Sequence, residues 1–143
     1  MSSNLSGLLS LIEEMPAYRR LLTELEAETG SSRAAVLEAA RPYVTAAAYR
    51  KPNLPLLVIT AQPERARELA EQLGIWLGRE VGLLPEPELL PYQRVATDSS
   101  TELDRIEALA TLARKKPSDE PPLLVASAAA FTQKVASYDE FVS

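Results

Sequence analysis

Three short apolar runs punctuate the chain: LLVIT at 56–60, VGLL at 81–84 and LLVAS at 123–127. Each is too short for a stable helix and is bounded by proline or polar residues. Runs of this kind read as strands buried on both faces. The intervening segments carry a helical period instead. Ala66, Leu69, Ala70, Leu73, Trp76 and Leu77 form one face of a helix opened by Pro63 and ended by Gly78. Ser99 and Glu102 make a Ser-x-x-Glu capping box ahead of Leu103, Ile106, Leu109, Ala110 and Ala113.

Before the first run, residues 5–12 read as a short apolar helix or turn. Pro16 opens a helix whose face is Tyr18, Leu21, Leu22 and Leu25. That helix frays near Gly30, and Ser31 or Ser32 can cap a new, Ala-rich one that Pro42 kinks or restarts. Residues 50–55, 85–98 and 115–122 are Pro-rich loops, and 128–135 is a short helix. Strands alternating with helices predict an α/β fold: a small parallel sheet covered by helices on both faces. Three visible strands are few for such a sheet, so the expectation is a single reduced domain over 1–143, part of a larger multidomain protein.

Composition narrows the chemistry. The 143 residues suffice for a real core. The chain has neither Cys nor His, which removes disulfides, thiol chemistry, the commonest metal ligand and the usual neutral-pH base. The net charge of −5, with Arg and Lys scattered among acids, disfavours a free-standing nucleic-acid binder. No apolar run is long enough to span a membrane and the first residues lack a basic signal region, so a cytoplasmic location is expected.

The stretch around ETGSSRAA resembles a phosphate loop with its working parts changed. Set against G-x-x-x-x-G-K-[ST], the matching positions are Ala27, Ser32, Arg33 and Ala34. Both glycines are replaced, Arg33 stands for the lysine, and Ala34 lacks the hydroxyl that would bind magnesium. Gly30 alone survives as a flexible point, beside Ser31. The preceding residues are helical, where a phosphate loop needs a strand. The residues alone favour a glycine break and serine cap between helices, with no bound nucleotide, metal or other cofactor.

Several segments taken in order resemble one family. LPLLVITAQPERARELAEQLGIWLG (54–78), VGLLPEPELLPYQRVATDSSTELDRIEALATLAR (81–114) and PPLLVASAAAFTQKVASYDEF (121–141) look like successive pieces of the N-terminal UvrB-homology module of bacterial transcription-repair coupling factors. TGSSRAAVLEAA falls on the segment of that module where the phosphate loop has decayed. The resemblance implies a P-loop-NTPase-like (RecA-like) half domain similar to UvrB domain 1a, without hydrolysis. It also implies an interaction and scaffold role, with partners among the other domains of the same protein, UvrA, RNA polymerase and DNA, and no small-molecule substrate. The UvrA-docking domain and the motor domains of the family would follow residue 143. The alternative class is a nucleotide- or DNA-binding fragment of a UvrB-type helicase, which a retained Gly-Lys-Ser/Thr would mark. A chance likeness between unrelated α/β domains is a third.

Tyr92 and Arg94 are the candidate contacts to DNA or a partner. Stacking on nucleic acid uses several aromatics along a positive groove, so an anchor for the Pro-rich loop is the simpler reading. Trp76 reads as core packing, and Asp98, Glu102 and Asp104 read as the acidic start of a capped helix in place of a metal cluster.

Overall fold

The computed structural model describes residues 5–27, 31–52, 54–86, 99–113 and 120–133. A 3-10 helix, Ser6–Glu14, leads into α1 (Pro16–Glu26). A 3-10 turn, Glu38–Ala40, leads into α2 (Arg41–Arg50). Then come β1 (Leu56–Thr60), α3 (Pro63–Leu77), β2 (Gly82–Leu84), α4 (Ser99–Ala113), β3 (Leu123–Ser127) and α5 (Ala128–Thr132). The α/β class read from the sequence is the one observed.

Proline sets three of the helix starts. Pro16, Pro42 and Pro63 each lie in the first two positions of a helix, where a missing N–H leaves no bond unmade. Gly78 ends α3 in the left-handed region, at φ 70°, and its N–H donates to the Gly74 carbonyl at 2.8 Å. A side chain there would strain the backbone by about 1 kcal/mol.

All strands of the described sheet are parallel and their order is β1-β3-β2. The last strand in sequence is therefore the central one. Every residue of β3 is buried, because it has a strand on each side and helices over both faces. Leu123 and Val125 point to one face, into a core built with Leu9, Ile12, Tyr18, Leu22, Ala46 and Leu73. Leu124 and Ala126 point to the other, with Leu84, Ala108 and Ala130. Leu73 is fully buried, which stabilises the fold by about 1.5–3 kcal/mol relative to exposure.

Three sequence expectations need correction. No helix starts at Ser31 or Ser32: residues 31–37 have no regular structure, and α2 begins only at Arg41. Pro42 sits in the first turn of α2, where its ring fits, so the helix that runs to Arg50 starts there. β1 is not buried on both faces. It is an edge strand, and Leu57 and Ile59 stay 38% and 46% exposed. The face expected for α4 holds only in its second half, where Leu109 packs on the second core and Ala110 is half-buried. Leu103 and Ile106 are exposed while Ala108 is buried. The Arg105 guanidinium donates to the Pro85 carbonyl, which seats the helix on its small residue beside Leu84.

Candidate functional site

Three places in the fold could carry chemistry. The first is the stretch that resembles a phosphate loop. Ala27 closes α1, with its N–H donating to the Thr23 carbonyl at 3.2 Å. Gly30 lies outside the described residues. Ser31, Ser32, Arg33 and Ala34 follow as exposed, irregular chain. The Ser32 hydroxyl donates to the carboxylate of Glu24 on α1. Arg20, one turn earlier, holds the same carboxylate at 3.0 Å. The Ser32 hydrogen bond first, and Arg20 second, hold the Glu24 carboxyl below its usual range. Nothing here matches strand–loop–helix geometry: a helix enters the stretch and no helix leaves it at Arg33. The Ser32 hydroxyl is thus directed at an anion of the protein itself, the Glu24 carboxylate.

The second place is the C-terminal edge of the sheet, where parallel α/β folds hold ligands. Ser127 ends the central strand and is 1% exposed. Its hydroxyl accepts the Ala130 N–H at 3.0 Å, capping α5, and donates to the Glu86 carboxylate. Beside it, Thr60 Oγ1 donates to the Gln62 carbonyl at 2.8 Å, shaping the entry to α3. These polar groups are occupied in closing turns. Sequence reasoning missed Ser127, although a serine between an apolar strand and an alanine run is a helix-capping signal.

The third is an open groove of about 1000 Å³ beside β1, lined by residues of α2, β1 and α3. Val44, Val58, Leu69 and Trp76 give it apolar walls, and Arg65 spans the rim with ion pairs at 3.1 Å to Glu38 and to Glu68. Trp76 is half-buried and packs on Tyr43 with ring centroids 4.8 Å apart. Its expected core role holds for one side of the ring, while the other side meets the groove.

A further polar cluster lies at the opposite end of the sheet. Arg79 donates to the Tyr49 hydroxyl, lies over that ring at 5.3 Å, and pairs with Glu120 at 3.0 Å. Tyr49 donates in turn to the Pro121 carbonyl, just ahead of β3. Burial, the largest cause, raises the Tyr49 pKa against the opposing pull of Arg79. The cavity at this cluster is about 150 Å³, room for a few waters.

Tyr92, Arg94 and Asp98 lie outside the described residues, so the candidate contact between 85 and 98 has no geometry here. Glu102 and Asp104 are on the first turns of α4, and no metal-binding group of acids forms among the described residues. No helix among the described residues is long and apolar enough to cross a membrane.

No family model and no solved structure matches the chain. Two curated proteins do. The transcription-repair-coupling factor of Mycobacterium bovis and that of Mycobacterium tuberculosis are each 33% identical to it over 122 residues, 83% of this chain. The chain spans 10% of the length of each, so the likeness relates it to one part of those proteins.

Proposed function

We propose that this chain is a non-catalytic interaction and scaffold domain of a transcription-repair coupling machinery, corresponding to the first part of the UvrB-like module. The similarity to the mycobacterial transcription-repair-coupling factors supports the process. The observation that supports a non-catalytic role is the state of the degenerate loop. The hydroxyl next to Arg33, that of Ser32, is spent on Glu24, and Ala34 offers no metal ligand. A nucleotide-hydrolysing loop needs backbone N–H groups, a lysine and a magnesium-binding hydroxyl directed at the same phosphates. Arg33 is exposed and carries charge but not the lysine's point geometry.

On this reading the domain works by presenting surfaces. Its partners are the remaining domains of the longer protein and, through them, UvrA, RNA polymerase and DNA. It takes no cofactor and acts in the cytoplasm.

Titration calorimetry of the purified chain with ATP and Mg²⁺, with a thermal-shift scan on the same sample, tests the proposal. The expected result is no binding heat and an unchanged melting temperature at millimolar ATP, since ligand binding to the folded state would raise it. Saturable binding abolished by Arg33→Ala would overturn the proposal in favour of a nucleotide-binding UvrB-type fragment.

A further inference from the structure

We infer that two copies of this chain pair through the outer edges of β1, antiparallel and centred on Val58, to make one continuous sheet. The phase of the ladder carries the argument. Leu56 donates its N–H to the Pro122 carbonyl at 3.0 Å, so Leu56, Val58 and Thr60 turn their backbone groups towards β3. Leu57 and Ile59 turn theirs outward. Among the described residues, no hydrogen bond reaches those outward groups. Unpaired edges of this kind are usually guarded by a charge, a proline or a bulge within the strand. LLVIT has none of these.

The edge is complementary to itself. In an antiparallel pair centred on Val58, Leu57 lies opposite Ile59 of the second copy and Ile59 opposite its Leu57. Both residues have outward-facing groups, so each such pair exchanges two hydrogen bonds. The next outward position towards the strand's start is Pro55, which has no N–H and ends the ladder there. Residues opposite one another share a face of the sheet. The exposed side chains of the strand, Leu57 and Ile59, therefore cover each other, and Val58 meets Val58 on the other face. The groove beside β1 leaves that edge open to approach, and its lining carries charges of both signs in equal number, Arg41 and Arg65 with Glu38 and Glu68. A two-fold contact needs a surface that fits its own copy, and this one does.

Sedimentation equilibrium of the full chain, from micromolar to near-millimolar concentration, tests the inference together with one cross-link. The chain has no cysteine, so Val58→Cys introduces a single thiol at the two-fold centre. There the facing Cα atoms of a non-hydrogen-bonded pair lie about 4.5 Å apart, within disulfide reach. The expected results are a concentration-dependent dimer and rapid oxidation of the Val58→Cys variant to a covalent dimer. Ile59→Lys should weaken association roughly tenfold or more by putting a charge on the edge. Leu11→Lys, an exposed position on the first 3-10 helix, should leave association unchanged. Circular dichroism confirms that each variant is folded. A monomer throughout the range, or a dimer that ignores Ile59→Lys and does not cross-link at position 58, overturns the inference.

Discussion

The Ser32 hydroxyl donates to the Glu24 carboxylate across eight residues of chain, tying the irregular stretch after α1 back to that helix. The contact is on the surface, so it shapes the loop more than it stabilises the fold. Ser32→Ala is expected to raise the Glu24 pKa towards the ordinary carboxylate range, because the largest cause of its lowering is removed. Proton titration by NMR of the Glu24 side chain reads this directly. An unmoved titration would show that Arg20 alone holds the carboxylate.

Tyr18 is buried in the first core, and its hydroxyl makes no hydrogen bond among the described residues. Burial first, and the nearby Glu13 second, raise its pKa to about 12. The neutral phenol is the form the fold favours. Its contribution is therefore intact below pH 10, the ordinary tyrosine value, and is lost as the pH climbs through 12. Absorbance titration at alkaline pH should show one tyrosine ionising last, together with unfolding. Tyr18→Phe should delete that step. It should also leave neutral-pH stability unchanged or raise it by up to about 1 kcal/mol, since an unpartnered buried hydroxyl is removed.

Leu73 and Leu103 are the same residue type on helical faces that the sequence pattern marks as inward. In the fold Leu73 is fully buried and Leu103 is 64% exposed. Leu73→Ala should lower unfolding stability by about 2–5 kcal/mol. Leu103→Ala should change it by no more than about 0.5 kcal/mol. Urea unfolding of the two variants checks the seating of α4. A large loss at Leu103 would mean that its helix packs on the expected face.

Ser127 joins three elements: it ends β3, caps α5 and receives the side chain of Glu86 after β2. Ser127→Ala removes a cap and a partner for a half-buried carboxylate. The expected loss is about 1–2 kcal/mol by denaturant unfolding. Hydrogen exchange should rise first at Ala130, whose N–H loses its acceptor. Unchanged exchange there would rule out the cap.

Much of this was readable in residue order. LLVIT, VGLL and LLVAS are strands, Pro63 and Gly78 bracket α3, and Ala66, Ala70 and Leu73 are its buried stripe. That Arg33 and Ala34 stand where a phosphate loop would need a lysine and a hydroxyl was equally plain, because residue identities need no coordinates. The start of α2 was not. Ser31 and Ser32 offered caps, but no helical turn follows them, and the helix begins instead at the turn that Pro42 opens. Ser127 escaped because its cap lies at a strand end, where an apolar pattern hides a polar role.

The sequence alone determined the three strands and the helices α1 and α3, since apolar period, proline and glycine act on neighbouring residues. It also determined that no thiol or imidazole is present for chemistry. Only the tertiary structure decided the sheet order β1-β3-β2. LLVIT and LLVAS look alike as strings, yet one is a buried centre and the other an edge with Leu57 and Ile59 uncovered. Burial depends on which strands and helices come to lie alongside, and those neighbours are brought together across nearly seventy residues of chain, as in the pairing of Leu56 with Leu123.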